Sequence, residues 1–281
     1  MSQVLDAVQP ASATLQDPAW LRELRRHAMV QFESEGFPTM KNEDWHFTNV
    51  APIAERTFGA PRAGTHVSPE TVERLGLGRD WNTLVFVNGR LDTTRDAALP
   101  DGSSAMSLAD SLASDDGLLE RHLGKLATEE SGSFTALNLG MALDGAVVRI
   151  QRGAVIEKPL HLLFIADQGA EGAAVHTRNL VFAERASQCT IVESYASVGG
   201  DVYFTNAVTE VFMAEGARVS HYKLQTESRN AFHVGTMQAR QERDSRYESF
   251  SFATGARLSR TNVYTTLAGD AAETVMNGLY M

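Results

Sequence analysis

The stretch VFAERASQCTIVESYA, residues 181–196, contains the pattern that decides the fold. Val181 and Ala183 alternate with their neighbours as in a β-strand, a tight corner follows at Ala186, and a second strand begins near Cys189. The same corner design returns at RGAVI (152–156), EGARV (215–219), RDSRY (243–247) and GDAAE (269–273). The latter half of the chain is therefore expected to repeat one structural unit.

The corners share a turn-permissive or small residue that is followed by a second small residue. The first positions are Gly153, Ala186, Gly216, Asp244 and Asp270, at intervals that shorten from 33 to 26 residues. Units of two or three short strands at this spacing are typical of solenoids, because each strand pairs with its copy in the next coil. Small corner residues suit stacked bends, where backbones approach closely. The sequence thus predicts a parallel β-helix.

Positions five and three residues before each corner form a ladder of side chains that are predicted to face inward. They are Val148/Ile150, Val181/Ala183, Val211/Met213, Ala239/Gln241 and Thr265/Leu267. The period of two is that of a strand with one buried face. A β-sandwich is the main rival, since short strands with turn signals also suit it. The matched corners at similar intervals favour the β-helix.

The hydrophobic periodicity and the turn signals divide the chain into an N-terminal helical segment (1–40), a small mixed α/β region (41–132) and the β-helix core (133–281). In the first, DPAWLRELRRHAMVQFESEGFP has apolar residues at helical spacing, with Asp17 predicted as N-cap and Gly36 as the stop. In the second, Asn88-Gly89 within LVFVNGRLD predicts a type I′ hairpin. SLADSLASDDGLLERHLGKLA, residues 107–127, predicts one or two short helices.

Composition excludes several classes of function. The formal net charge is −10, from 25 basic and 35 acidic side chains, and without a basic block the chain lacks the face that a nucleic-acid binder needs. The start, MSQVLDAVQPASATLQDPAW, does not have the pattern of a secretory signal, and no apolar stretch has the length of a membrane span. These features predict a cytoplasmic protein with no nucleic-acid or membrane partner.

The candidate metal ligands and nucleophiles are few. Cys189 is the one cysteine, so no internal disulfide can form. It stands at an inward strand position, in step with Val219 and Tyr247, which is typical of a core residue. The eight histidines are dispersed, although His221 and His233 could converge on adjacent coils. The sequence predicts no catalytic residue and no metal site, and it leaves the cofactor-binding residues unassigned.

Two further patterns are interpreted as structural. GLLERHLGKL, residues 117–126, resembles a phosphate loop, but the glycine spacing is too long and Leu126 replaces the Ser or Thr that would hold magnesium. Many β-helix proteins cleave polysaccharides with paired acids on a coil face. The candidate acids are Glu184, Glu193, Glu210 and Glu215. Acids on strand exteriors are more commonly a solvated face, which is the role expected for these four.

KNEDWHFTNV, residues 41–50, concentrates charged and aromatic residues between the opening helix and the strand-rich region. It has no second histidine and no cysteine, so it does not predict a metal site. Trp45 and Phe47 lie two residues apart and would point the same way in an extended chain. They are predicted to bury aromatic area together against the end of the coils, as a structural joint.

These residues carry a family resemblance. GFPTMKNEDWHFTNVAPIA resembles the N-terminal signature of the SufD proteins of iron–sulfur cluster assembly, in Lys41, Glu43, Trp45, Phe47 and Thr48. Residues 134–167 are similar to that family's entry into its β-helix, and TVMNGLYM (274–281) is similar to its later NGLY motif. The resemblance spans nearly the whole chain.

The resemblance implies a right-handed parallel β-helix in a non-catalytic scaffold subunit of the SufBCD complex. It implies pairing with a SufB-type paralogue and a SufC-type ATPase, with iron supply and cluster assembly as the task of the complex. No cluster is expected on this segment alone, and contact with iron or a flavin is left open. Family members continue past NGLY, so a C-terminally truncated form without the ATPase contact is expected. A β-helix carbohydrate-active enzyme, a lyase or hydrolase, is the alternative.

Overall fold

The computed structural model describes residues 17–62, 67–78, 80–94, 99–114 and 117–281. Residues 1–16, which carry most of the prediction that no secretory signal is present, lie outside the described residues. The helices are α1 (Ala19–Glu35), α2 (Ala51–Ala54), α3 (Pro69–Leu75), α4 (Leu108–Ser114), α5 (Leu118–His122) and α6 (Ser133–Met141). Short 3₁₀ helices span Glu43–Trp45, Glu129–Ser131 and Gln168–Ala170. In the part of the chain described, no helix combines the length and apolar composition needed to cross a membrane.

The strands form two sheets that face each other across the core. The strands are β1 (Asn82–Val87), β2 (Arg90–Leu91), β3 (Ser103–Ser107), β4 (Ala146–Ile150), β5 (Leu160–Ala166), β6 (Ala174–Ala183), β7 (Gln188–Ser197), β8 (Phe204–Met213), β9 (Arg218–Thr226), β10 (Phe232–Gln241), β11 (Arg246–Ala253), β12 (Leu258–Leu267) and β13 (Glu273–Tyr280). Sheet I has the order β13-β11-β9-β7-β5-β1-β2, and sheet II has the order β12-β10-β8-β6-β4-β3.

From β4 to β13 the chain crosses from one sheet to the other at every corner, and neighbours within each sheet run parallel. This is a parallel β-solenoid of about five coils with two strands per coil, and it confirms the predicted class. The rival β-sandwich is excluded, because its neighbouring strands would be antiparallel.

The strand register confirms the predicted ladder in every coil. Val148 pairs with Val181, Val181 with Val211, Val211 with Ala239, and Ala239 with Thr265. The second member of each pair follows in the same register, from Ile150 to Leu267. The ladder from Val148 to Ala239 and the inward side chains of sheet I form the main apolar core between the sheets, whereas Leu267 in the last coil is exposed.

Four of the five predicted corners have the expected geometry. Gly153, Ala186, Gly216 and Asp244 have φ between 56° and 71°, and each N–H donates to the backbone of the next corner. The fifth prediction, Asp270, is wrong by one residue, because the positive φ of 54° belongs to Ala271. Leu267 pairs with Gln241 but Glu273 pairs with Arg246, so the last corner holds one extra residue.

The mixed α/β region continues both sheets at the start of the solenoid. β1 pairs in parallel with β5, and β3 pairs antiparallel with β4. Asn88 and Gly89 have φ of 51° and 81°, which confirms the predicted primed turn. The Asn88 amide donates to Asp167 Oδ1 at 2.6 Å and so ties this turn to the first coil. The predicted short helices are α4 and α5.

Helix α1 packs with α6 against the outer face of sheet II, where Leu21, Ala28 and Phe32 are buried. Its end at Gly36 is confirmed, since the Gly36 N–H donates to Phe32 O at 2.7 Å. Its predicted N-cap is wrong. Pro18 holds that position, and the Asp17 carboxylate instead pairs with Arg25 Nε at 2.8 Å.

The KNEDWHFTNV segment is a joint, but only one of its two predicted anchors packs against the fold, and that residue, Trp45, is half-buried. Trp45 packs against Phe134 at 5.1 Å between ring centroids, and the guanidinium of Arg260 in β12 lies 4.1 Å from its ring centroid. Phe47, by contrast, is 96% exposed. The expectation for Phe47 fails because Glu43–Trp45 is a 3₁₀ helix, which removes the extended geometry that would align the two rings.

Candidate functional site

The space between the sheets is apolar beside the corners and polar further along the strands. In β7 the inward series runs from Cys189 and Ile191 to Glu193 and Tyr195, and in β9 it runs from Val219 to His221, Lys223 and Gln225. Thr205 and Thr209 of β8 and His233 of β10 face this series from sheet II. We call this buried group, together with Glu227 and Tyr247, the polar interior.

Glu193 is one centre of the polar interior and is almost completely buried. Its Oε1 lies 2.9 Å from His221 Nε2 and accepts a hydrogen bond from Thr209 at 2.6 Å, and its Oε2 accepts one from Tyr195 at 2.8 Å. Burial alone raises the pKa of this carboxyl, but His221, Lys223 and Thr209 outweigh it and lower the pKa to about 2. Glu193 is therefore a carboxylate at neutral pH.

Glu227 is the second centre. Its Oε2 lies 2.6 Å from His233 Nδ1, and its Oε1 accepts from Thr205 at 2.6 Å. Burial opposes ionisation here too, and the contacts with His233, Thr205 and Gln225 hold the pKa below its ordinary range. A cavity of about 260 Å³, partly open, adjoins Glu227 and Tyr195 beneath the Asn88-Gly89 turn.

Lys223 connects the two centres across the core. Its Nζ lies 5.0 Å from the centroid of the Tyr195 ring and close to Gly235 of β10. A Cβ at position 235 would stand only 1.9 Å from Nζ, so any residue other than glycine there would force the end of the lysine side chain to move. Burial lowers the pKa of Lys223 to about 8, although Glu193 and Glu227 oppose the shift.

The polar interior is a hydrogen-bonded network of ionisable side chains, and its geometry is not that of a metal site. His221 and His233, which were predicted to converge, belong to one network. His221 contacts Glu193, Glu193 accepts a hydrogen bond from Tyr195, and the ring centroids of Tyr195 and His233 lie 4.9 Å apart. The described residues hold no group of three or more His, Cys, Asp or Glu side chains placed to share a metal ion. Thr177 Oγ1, His233 Nε2 and Ser249 Oγ are buried without a hydrogen-bond partner in the described part of the chain.

Cys189 is a core residue, as predicted. It is 3% exposed, pairs in register with Val219, and belongs to the apolar cluster between the sheets. Burial raises the pKa of its thiol to about 12. Since the thiolate is the form that attacks or binds metal, this cysteine is chemically quiet in the structure described.

The four acids considered for glycoside cleavage do not form one face. Glu184 and Glu215 lie at the corners and pair with Arg149 and with Arg185 and Arg243, respectively. Glu193 and Glu210 are buried, so the expectation of a solvated face is wrong for both. That expectation failed because β7 turns Glu193 inward and because the loop after α5 covers Glu210 on the outer face of sheet II.

Glu210 explains the superficial likeness of residues 117–126 to a phosphate loop. Its carboxylate accepts hydrogen bonds from the backbone N–H groups of Gly124, Leu126 and Ala127 at 2.8–3.1 Å. Arg178 donates to the same carboxylate at 2.8 Å. Successive N–H groups that surround an anion form a nest. Here the anion is the protein's own side chain, which fixes the loop after α5 to sheet II.

The sequence analysis did not predict that Glu193, Glu227 and Lys223 are buried, although the two-residue period of the strands indicates it for Glu193 and Lys223. Cys189 and Val219 had been assigned to inward positions. Counting onward in steps of two places Glu193, His221 and Lys223 in the same interior. Charged residues at core positions are the exceptional case and indicate a buried network.

The fold and this interior define a class of protein, a parallel β-solenoid with a buried polar network between its sheets and helices packed on one sheet. Two family models match the chain. The SufBD protein N-terminal region matches residues 6–162, and the SufBD core domain of the SUF system of FeS cluster assembly matches residues 164–281. The chain belongs to the SufBD family.

Curated relatives agree with this assignment. The chain is 31% identical to the iron–sulfur cluster assembly SufBD family protein slr0076 of Synechocystis, over 84% of this chain and 54% of that protein. It is 29% identical to the iron–sulfur cluster assembly protein SufD of Escherichia coli, over 90% and 57%. It is 26% identical to the protein ABCI7, chloroplastic, of Arabidopsis thaliana, over 93% and 56%. The chain spans about half the length of the curated relatives it matches.

Proposed function

We propose that this chain acts as a non-catalytic scaffold subunit in iron–sulfur cluster assembly and pairs with a SufB-type paralogue. Its membership of the SufBD family carries the proposal. The chemistry of the chain is in keeping with it, because the one thiol is buried with a raised pKa and the two carboxylates of the polar interior have hydrogen-bond partners within it. Such a chain offers surfaces to partners and holds no exposed nucleophilic thiol.

The cluster itself, in this proposal, is assembled by the complex and not bound by this segment alone. Structural clusters are held by cysteine thiolates, in sets of up to four. This chain has a single cysteine, and that cysteine is buried. Iron supply to the complex is the supporting role we assign to the subunit, and no flavin contact is assigned to any of its residues.

In a polypeptide of residues 1–281, the last coil is the surface that we propose for the paralogue. β12 and β13 stand at the ends of their sheets, and Leu267, Met276 and Tyr280 are 56%, 49% and 86% exposed there. A strand at the end of a sheet presents backbone groups to a further strand. A second solenoid of the same family could continue both sheets from this end.

We further propose that the contact with a SufC-type ATPase lies outside residues 1–281. The resemblance to SufD puts that contact in a C-terminal helical region beyond NGLY, and the curated relatives extend well beyond the matched range. We also propose a cytoplasmic location.

Pairwise co-purification from the native host tests these proposals. The tagged 281-residue chain should retain the SufB-type paralogue and should not retain the SufC-type ATPase when the ATPase is the only other component. Leu267→Glu should abolish retention of the paralogue, because it places a charge at the open end of the core. Val155→Glu is the matched control, since Val155 is 61% exposed at the first corner. Equal loss with both variants, or no retention by the wild type, would contradict the proposed pairing.

A further inference from the structure

A second cavity lies apart from the polar interior, on the outer side of β6. It forms where the segment 59–61, the β1–β2 turn and the end of α6 meet, and it is partly open to solvent. Pro61, Met141, Leu143 and Ala174 make most of its wall apolar. A concave, mostly apolar surface with a few polar groups is typical of small-molecule sites.

His176 is the polar group deep in this cavity. Its side chain is directed outward from β6 and the residue is 8% exposed, yet neither ring nitrogen has a hydrogen-bond partner among the described residues. Nδ1 is shielded from solvent as well as unpartnered. Nε2 is not among the fully shielded atoms, so it is the ring nitrogen that a ligand atom in the cavity can reach. Burial also lowers the pKa of His176 to about 4, so at neutral pH one ring nitrogen donates and the other accepts.

Arg90 is the one cationic residue of the cavity wall. It is exposed, and it forms no ion pair or side-chain hydrogen bond with any part of the chain that the structure describes. A guanidinium presents a planar pair of N–H groups that matches a carboxylate. A single guanidinium balances a monoanion, whereas a phosphate monoester would carry an additional uncompensated charge.

We propose that this cavity binds a small keto or hydroxy carboxylic acid, whose carboxylate pairs with Arg90 and whose second oxygen hydrogen-bonds to His176. The apolar wall of Met141 and Leu143 covers the short carbon body between the two polar ends. His176 and Arg90 lie in β6 and β2, away from the last coil formed by β12 and β13, so ligand binding here does not depend on the pairing proposed above.

Nuclear magnetic resonance of the full 281-residue chain tests the proposal, with the ring nitrogens of His176 as the probe. Pyruvate, 2-oxobutyrate, lactate and 2-hydroxybutyrate are titrated one at a time to millimolar concentration. At least one should move the His176 resonances in a saturable manner. Butanone, which has the keto oxygen but no carboxylate, should not.

Two arginine variants separate binding in the cavity from general attraction to positive charge. Arg90→Gln should raise the dissociation constant about tenfold or more, because it removes a charge-assisted pair. Arg229→Gln, at an exposed position in the loop before β10, should leave it unchanged within about twofold. Backbone amide spectra of both variants verify that the fold is retained. Failure of all four acids to move the His176 resonances, or equal effects of the two variants, would overturn the proposal.

Discussion

Glu193 shows how a charged side chain is kept inside this solenoid. It accepts hydrogen bonds from Thr209 and Tyr195 and pairs with His221, so each carboxylate oxygen is satisfied. Glu193→Gln removes the charge and turns an amide NH₂ toward groups that themselves donate. We expect the free energy of unfolding at pH 7 to fall by about 3–5 kcal/mol, which is the usual cost of removing one partner of a buried pair. Urea denaturation followed by circular dichroism measures it.

The pH dependence of this loss distinguishes an electrostatic cause from a packing cause. The folded-state pKa of Glu193, about 2, is below its ordinary value of 4.5. Its ionisation therefore contributes stability that is fully present above about pH 4.5 and is lost as the pH falls toward about 2. The difference between wild type and Glu193→Gln should shrink over that interval. Glu184→Gln, in an exposed pair with Arg149, should cost less than about 1 kcal/mol at either pH. A constant difference would point to packing.

For single residues, the sequence predicted which strand positions face inward, because these follow the two-residue period. It did not predict which side chains other elements cover or leave exposed. Cys189 was placed correctly because its position follows from the strand register alone. Phe47 and Glu210 were misjudged because their exposure depends on other elements. A 3₁₀ helix directs Phe47 into solvent, and the loop after α5 covers Glu210. No pattern within either segment contains that information.

The corners are the elements that set the spacing of the coils, and their backbone geometry can be tested directly. Ala186 has φ of 56°, a conformation that costs a residue with a Cβ about 1–2 kcal/mol. Glycine has no such penalty but loses more chain entropy on folding, about 0.4–1 kcal/mol. Ala186→Gly should therefore raise the free energy of unfolding by about 0.5–1 kcal/mol, measured by thermal and urea denaturation.

Ala217, in the next corner, is the matched control. It is buried and does not adopt positive φ, so Ala217→Gly gains nothing from the relief of strain. We expect that variant to lose about 1 kcal/mol from chain entropy and lost contacts. If both variants shifted stability in the same direction, positive φ would not be the property that selects residues at these corners.

At the scale of elements, the repeat predicted the parallel pairing, the ladder and four corners, because each coil contains the same local information. The fifth corner was misplaced since an inserted residue leaves the strand before it in register and displaces only the strand after it. The N-cap of α1 was misassigned because Asp17 has a partner in Arg25, a contact that the capping pattern does not reveal.

The whole molecule has two unlike ends. At the start of the solenoid, β1 and β3 extend the sheets and helices cover the flanks. At the other end, β12 and β13 present their edges, and inward-facing Met276 is 49% exposed. Exposed edges of this kind template association with other strands. We therefore expect the polypeptide of residues 1–281 to self-associate when it has no partner, and light scattering coupled to gel filtration at tens of micromolar to report more than the monomer mass.

A charge at the open end should reverse this association. Met276→Lys places an ammonium group where a second molecule would have to bury it, which is a means by which natural sheets avoid edge pairing. This variant should shift the chain toward the monomer with little change in thermal stability, since position 276 is half-exposed. Val155→Lys introduces the same charge at an exposed site of the first coil and should leave the association unchanged. A wild-type chain that is monodisperse at the monomer mass would show that the last coil does not need a strand partner. That result would also contradict the proposal that the edges of β12 and β13 bind the paralogue.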